Sequence, residues 1–383
     1  MNFDLSPEQQ MIFDTAKSFG ADEIAPHAYA WEREETIPKE VLAKAGALGF
    51  GAIYVPEAED GMGLSRLDAT LVFEALAMAC PSVSAFISIH NMTTNMVALY
   101  GSDALKSKWL SKMIAMQTYG SYCLTEPGSG SDAAALRTRA MRTDTGYRLN
   151  GTKAFISGAG YAGLYVTMVR TGQAGPKGIS AIVVPEGSAG LSFGASEKKM
   201  GWCAQPTAQV QFDDCDVPLE NLLGEEGSGF TYAMEGLDGG RLNIAACSLG
   251  AAQAAMDIAV DYMGERKAFG KTLGQFQALQ FKLAEMETDL NAARIFLRQA
   301  ASKLDAGAAD ATKYCAMAKL FVTDKCYDIT NDALQMLGGY GYLQDYRIEK
   351  LLRDIRVHQI LEGTNQIMRL IISRAVLAEK GNT

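Results

Sequence analysis

LQFKLAEMETDLNAARIFLRQAASKL, residues 279–304, carries apolar side chains at Leu279, Leu283, Met286, Leu290, Ala293, Leu297, Ala300 and Leu304, spaced 4, 3, 4, 3, 4, 3, 4. An α-helix gathers such positions onto one stripe, and a stripe this long is what a helix in an antiparallel bundle needs. A second series, Ala316, Leu320, Thr323, Tyr327, Thr330, Leu334 and Leu337, repeats the spacing up to Gly338 and Gly339, which suit a helix C-terminus. With a helix before Arg266 and another around Met368 to Leu377, residues 230–383 are predicted to form a four-helix bundle. The apolar side chains of these series are read as core.

Upstream the texture changes. Residues 120–229 hold short runs rich in β-branched and aromatic residues: Tyr147 to Asn150, Lys153 to Ser157, Leu164 to Arg170, Ile179 to Pro185 and Thr207 to Phe212. Turn residues separate them, which predicts a small β-sandwich or barrel. Residues 1–119 return to helical periodicity. Ser6, Pro7 and Gln9 open a first helix, Pro38 precedes a second that Gly closes, and Leu67 to Ala79 and Ser84 to Tyr100 supply more before Gly101. The expected fold is mainly α with a central β domain.

The composition narrows the chemistry. With 383 residues, 48% hydrophobic and 21% charged, the chain is globular and large enough for two or three domains. Its 35 basic residues against 44 acidic ones, a net charge of −9, weigh against a nucleic-acid partner. The 7 cysteines form no CxxC pair and suit a reducing compartment, and the 3 histidines form no local metal motif. Acids from Asp4 onward and no Arg before Arg33 are the reverse of a basic targeting peptide, so cytoplasmic residence is expected. The apolar stretch Leu71 to Ile89 is interrupted by Glu74 and Pro81, so no membrane insertion is expected.

Three motifs bear on function. Gly158, Gly160 and Gly163 satisfy G-x-G-x-x-G, but LYVTMVR after them reads as a strand, whereas a dinucleotide turn must open a helix. No Walker loop or G-x-S-x-G elbow occurs. YCLTEPGSGSD, Tyr122 to Asp132, is either a polar interdomain loop or a ligand loop, with glycines that admit close approach and hydroxyls at Thr125, Ser129 and Ser131. In VHQILEGTNQIMR, Val357 to Arg369, Glu362 is either a capping or solvated carboxylate, or it projects into an apolar cleft. In the second case desolvation raises its pKa and makes it a general base.

Taken together and in order, YCLTEPGSGSD, FISG (Phe155 to Gly158), RKAFG (Arg266 to Gly270), QMLGGYGY (Gln335 to Tyr342) and ILEGTNQI (Ile360 to Ile367) resemble the acyl-CoA dehydrogenase family along essentially the whole chain. The resemblance implies an N-terminal helical domain, a middle β-barrel and a C-terminal four-helix bundle. It also implies FAD as cofactor, an acyl-CoA substrate, an electron-transfer flavoprotein as acceptor, and a homotetramer. EKKMGWCAQPT (Glu197 to Thr207), GLDGGRLNIAACSLGAA (Gly236 to Ala252) and RVHQILEG point within the family to members acting on short branched acyl groups, isobutyryl-CoA foremost. Butyryl-CoA, 2-methylbutyryl-CoA, an oxidase on the same fold and a non-catalytic acyl-CoA binding protein are the alternatives.

In the family, a carboxylate removes the α-proton of the thioester while flavin N5 takes the β-hydride, and the resemblance gives Glu362 that role. A minority carries the base on another helix at the position occupied here by Gly240, which sharpens the reading of Glu362. Tyr122, Leu124, Thr125 and Ser131, with Phe155, Ile156 and Ser157, resemble the flavin-lining positions; Phe155 stands where many relatives have Trp. Arg266, Phe276, Gln277, and Gln335, Met336, Leu337, Gly338 and Gly339 resemble the residues that grip the FAD pyrophosphate and adenine of a neighbouring subunit. Thr364, Asn365 and Gln366 complete the implied cofactor site. Ser131, Asp238, Arg241, Gly363 and Arg374 are the implied substrate contacts. An Asp at 238 near CoA phosphates would be repelled unless Arg241 compensates.

Overall fold

The three textures become three blocks of secondary structure in the computed structural model, which describes residues 4–381. The first contains α1 (Pro7–Phe19), α2 (Ala28–Glu34), α3 (Lys39–Ala47), α4 (Arg66–Ala79), α5 (Pro81–Tyr100) and α6 (Asp103–Ile114). Ser6 caps α1 as its sequence implies: its hydroxyl accepts from Gln9 N–H at 3.2 Å, and Gln9 Oε1 accepts from Ser6 N–H at 3.1 Å. Helices α2 and α6 were not separately expected.

The middle block runs β1 (Gly120–Cys123), β2 (Arg139–Arg142), β3 (Gly146–Ser157), β4 (Leu164–Arg170), β5 (Ile179–Pro185), β6 (Leu191–Phe193), β7 (Thr207–Pro218) and β8 (Leu222–Leu223). They form one sheet in the order β6-β7-β3-β2-β4-β5-β8, with β1 added parallel to β4. The two runs read separately as 147–150 and 153–157 are one strand, β3. Register irregularities at Leu149/Gly151 and Lys153/Ile156 interrupt it against β7, and these produced the apparent break in pattern. Strands β4 and β5 lack polar alternation because both faces are buried. Leu164, Val166 and Met168 join one apolar cluster, with Leu105, Leu110 and Ala233, while Tyr165 and Val169 join the other. The chain after Gly163 is β4, so the glycine string opens a strand and no helix.

The last block holds α7 (Gly229–Glu265), a two-stranded ribbon of β9 (Lys267–Ala268) and β10 (Lys271–Thr272), α8 (Gln277–Asp305), α9 (Ala311–Met336), α10 (Ile348–Arg356) and α11 (Asn365–Glu379). Helices α7, α8 and α9 pack on one another, α11 packs on α9, and α4 lies along α7. The long seam holds: Met286, Leu290, Ala293, Leu297 and Ala300 are buried in α8. The α9 seam is wider than the expected one: Ala316, Thr323, Thr330 and Leu337 are buried as read, and Cys315, Lys319, Val322, Cys326, Ile329, Ala333 and Met336 are buried beside them, while Leu320, Tyr327 and Leu334 are half-buried. A lysine occupies one of these core positions, which an apolar count passes over. Helix α7 is long and apolar enough to cross a membrane by composition, but 72% of its apolar window is buried inside the fold, so packing accounts for it.

Candidate active site

The chain reaches Glu362 through α10 and a single turn at Val357–Gln359, then bends sharply before α11. The bend is two consecutive left-handed residues, Glu362 at φ 56° and Gly363 at φ 86°. Glycine tolerates this, whereas a glutamate is strained by about 1 to 2 kcal/mol and needs its surroundings to hold it. Buried cations supply the hold by bonding the backbone. Lys319 Nζ donates to Gly363 C=O at 2.8 Å and to Asn365 Oδ1 at 2.8 Å, and Arg241 Nε lies 3.4 Å from Glu362 C=O. Thr364 caps α11 by accepting from Ile367 N–H at 3.2 Å.

The preceding turn is anchored as well. Fully buried His358 accepts from Trp202 Nε1–H at 3.2 Å through Nε2, which leaves Nδ1 to carry the proton, 2.7 Å from Ser248 Oγ. Burial pushes this imidazole down to about 3, so it stays neutral and structural. Trp202 N–H also donates to Asp354 Oδ1 at 2.7 Å. The β6–β7 connection is thereby fastened to α10.

Glu362 points its carboxylate at α7. A Cβ placed on Gly240 would lie 2.5 Å from Glu362 Oε2 and 2.9 Å from its Cδ, so glycine at 240 leaves the room that the carboxylate fills. Oε2 is buried without a hydrogen-bond partner. Burial pushes the carboxyl up to about 7, although Arg241 and Lys319 both favour its anion. Burial likewise pushes Lys319 down to about 7, partly opposed by Glu362. Tyr122 on β1 is held well above its ordinary range, by burial first and by the Glu362 charge second, which places it on the same cleft.

Around this carboxylate the structure gathers some of the expected residues. Arg241 pairs with Asp238 at 2.5 Å, and Asp238 also accepts from Thr312 Oγ1 at 2.5 Å. The compensation that Asp238 requires is therefore present, although burial still raises its carboxyl. Asn365 donates to Thr323 at 3.0 Å and to Asp324 at 2.6 Å, so its side chain is occupied inside the protein.

On the β side, the TEPGSGSD segment divides in two. Glu126 is buried and accepts from Arg137 N–H at 2.6 Å, Thr138 N–H at 2.9 Å and Lys153 Nζ at 2.8 Å, which locks the turn. Ser131 is exposed, and a Cβ at Gly128 or Gly130 would meet nothing within 4 Å, so this tip is open on its outer side. Lys153 also bonds Leu124 C=O, and Thr125 C=O accepts Ala154 N–H. Phe155 stands in the β3 irregularity at φ 58° and is 68% exposed, an aromatic side chain displayed on strained backbone. Ser157 gives its carbonyl to Ser121 Oγ at 2.6 Å. Ile156 faces the sheet core, so only its backbone is available to a ligand.

A second group of expected residues lies far away. Arg266, Gln335, Met336, Leu337, Gly338 and Gly339 line one cavity of about 420 Å³ with Tyr262, Leu273, Tyr340 and Leu343. The Arg266 guanidinium sits 5.5 Å from the centre of the Tyr340 ring. Gly240 and Arg266 are 26 positions apart along α7, roughly 39 Å at 1.5 Å per residue, so one chain cannot bring both groups to one small ligand. Phe276 and Gln277 start α8 near this end, with the Phe269 ring 6.2 Å from Phe276. Gln366 is exposed at the start of α11, and Arg374 is exposed roughly three turns past Thr364.

Sequence reading missed Lys319, Thr312, Trp202 and His358. Trp202 and His358 carry no local signal, since their contacts join segments more than 150 positions apart. Lys319 has one: it is the cation lodged within an otherwise apolar seam.

The chain matches three family descriptions in order. They are acyl-CoA dehydrogenase N-terminal domain over residues 6–117, middle domain over 121–215 and C-terminal domain over 227–377. It is 52% identical to the mitochondrial isobutyryl-CoA dehydrogenase of Bos taurus over 98% of this chain and 90% of that protein. A mitochondrial isobutyryl-CoA dehydrogenase of Dictyostelium discoideum is also 52% identical, over 97% and 89%. The solved butyryl-CoA dehydrogenase of Megasphaera elsdenii superimposes with a TM-score of 0.94 at 36% identity, covering 98% of this chain and 100% of that one. A glutamate on a left-handed turn with its Oε2 buried and unpartnered, the three matched domains and these full-length likenesses lead to one conclusion: the chain belongs to the acyl-CoA dehydrogenase family.

Proposed function

We propose that this chain oxidises a short branched-chain acyl-CoA to its 2-enoyl-CoA, with isobutyryl-CoA to methacrylyl-CoA as first choice and Glu362 as the base. The class of enzyme is that of the family, an FAD-dependent oxidoreductase, and the two relatives at 52% identity carry the substrate choice. The observation that carries the role of Glu362 is its buried, unpartnered Oε2. A carboxylate without a donor is free to accept a proton, and its raised pKa brings it nearer the basicity that an α-proton demands. Leu361 beside it is apolar and compatible with a small or branched acyl group.

The residues present fit the flavin: an exposed Phe155 ring, open glycines in the 122–132 loop, and a cavity with a guanidinium at the far end of α7. Tyr122, Leu124, Thr125, Ser131, Phe155 to Ser157 and Thr364 to Gln366 would hold the isoalloxazine half. Arg266, Phe276, Gln277 and Gln335 to Gly339 would hold the adenine half of a neighbouring copy's FAD. When bound, FAD supplies the acceptor for the β-hydride. Glu362 takes the α-proton, and Arg241 with Asp238, Ser131, Gly363 and Arg374 would orient the CoA half.

The roughly 39 Å between the two halves, together with Phe269 at 96% and Tyr342 at 84% exposure beside the far cavity, supports a homotetramer. An electron-transfer flavoprotein is the proposed acceptor. Domain boundaries near residues 119 and 229 belong to the same reading. All 7 cysteines are free and 6 are buried, which supports a reducing compartment, the cytoplasm among them.

Anaerobic mixing of the flavin-loaded protein with isobutyryl-, butyryl-, 2-methylbutyryl- and isovaleryl-CoA, followed by flavin bleaching, tests the substrate. Isobutyryl-CoA is expected to bleach fastest; much slower bleaching than with butyryl-CoA would overturn the choice. Peroxide formed in air without an added acceptor would indicate an oxidase.

A further inference from the structure

The strained pair Glu362–Gly363 has both carbonyls facing buried cations, one from α7 and one from α9, while its carboxylate is bonded to neither. Arg241 is already committed to Asp238. Lys319 has no carboxylate partner within bonding range among the described residues; its acceptors are the Gly363 carbonyl, 2.8 Å away, and the Asn365 amide oxygen, also 2.8 Å away. It is 0% exposed and sits within the apolar seam of α9. A fully buried ammonium costs several kcal/mol in solvation. A simple space-filling role would be better served by methionine or leucine, so the cation itself has to be accounted for.

We propose that Lys319 is a positioning residue for the base: its ammonium clamps the left-handed Glu362–Gly363 turn and, while protonated, places a positive charge beside, yet not bonded to, the Glu362 carboxylate. This rests on the reading of Glu362 as the base. Bonding the neighbouring carbonyl has two effects that a direct ion pair cannot combine. The turn is held, so Oε2 stays aimed at the cleft. The carboxylate also keeps its lone pairs, while the nearby charge limits how far burial can raise its pKa. The charged and titratable groups facing Glu362 are Arg241 from α7, Lys319 from α9 and Tyr122 from β1. Those facing Lys319 are Glu362, Arg241, Asp324 and His358.

The test is the pH dependence of the anaerobic flavin-reduction rate in the flavin-loaded holoenzyme, for the parent, Lys319→Met, Lys319→Arg and Glu362→Gln. With the charge gone in Lys319→Met, the acid limb set by Glu362 moves up by about one pH unit and the plateau rate falls about 10²-fold. Lys319→Arg keeps the charge in altered geometry, so its limb stays while its plateau falls. If Lys319→Met does not yield folded holoenzyme, Lys319→Arg against Lys319→Gln makes the same separation of charge from packing. An unshifted limb with a rate within about twofold of the parent would overturn the proposal. Near-normal turnover in Glu362→Gln would instead overturn the base assignment, so the two failures are distinct.

Discussion

Two glutamates with inward-facing carboxylates, Glu126 buried and Glu362 half-buried with its Oε2 enclosed, each beside a fully buried lysine, end in opposite states. Glu126 takes the Lys153 ammonium directly at 2.8 Å and two backbone N–H groups besides, and these outweigh burial and hold its carboxyl below the ordinary 4.5. Glu362 has Lys319 nearby, but that ammonium bonds the carbonyl of the next residue, and burial wins, pushing the carboxyl up to about 7. The pairing of residue types is the same. What differs is whether the cation meets the carboxylate or the backbone beside it. The first arrangement makes a structural lock, and the second leaves the carboxylate that is proposed as the base.

Removing the carboxylates should separate the two roles most sharply. Glu362→Gln is expected to lower turnover by about 10⁴-fold while the protein still folds and binds yellow flavin, read by stopped-flow and absorbance. Glu126→Gln should instead leave Lys153 as an uncompensated buried charge, at a cost of about 3 to 5 kcal/mol, seen as a large fall in melting temperature. If Glu126→Gln melts like the parent, the lock reading fails. Next in size is Gly240→Ala, whose methyl group would stand 2.5 Å from Glu362 Oε2. The end of a glutamate can move aside, so stability should change little while the displaced base loses roughly 10²-fold in rate. An unaltered rate would show that the carboxylate does not occupy that space during turnover.

The smallest expected effect is on pH-dependent stability, and it has opposite signs at the two sites. Glu126, held below 4.5, contributes stability that is present above 4.5 and is lost as pH falls through its folded value. Glu362, raised to about 7 from 4.5, keeps its proton in the folded chain after the unfolded chain has lost it. Stability therefore declines as pH rises between those values. Glu362→Gln should accordingly raise the melting temperature at pH 8 by about 2 to 4 °C and change it little at pH 4. The same gain at both pH values would break the linkage.

These contrasts also mark how far the residues could be read in order. The segment ILEGTNQI identified the acid and the glycine after it, because a polar residue breaking an apolar pattern beside glycine is a local signal. TEPGSGSD was recognised as a loop, but the sequence did not reveal that Glu126 is consumed inside it. Its partners Arg137 and Thr138 lie just before β2 and Lys153 lies in β3, and only the sheet brings them together. The α9 seam shows the same limit: counting apolar residues found Ala316, Thr323, Thr330 and Leu337, which are buried, but passed over the adjoining buried stripe that contains Lys319. His358 and Trp202 meet only when the β domain docks on α10.

The sequence by itself determined the helical, β and helical plan and the long α8 seam, and it singled out Glu362 as the candidate base, because periodicity and glycine placement act over a few residues. Tertiary structure decided what Glu362 became. Its pKa, its strained backbone and its aim depend on Gly240, Arg241 and Lys319, which lie on helices 43 to 122 positions away in the chain. Burial and charge act through space, so they exist for this carboxylate only once α7, α9 and α11 have packed together.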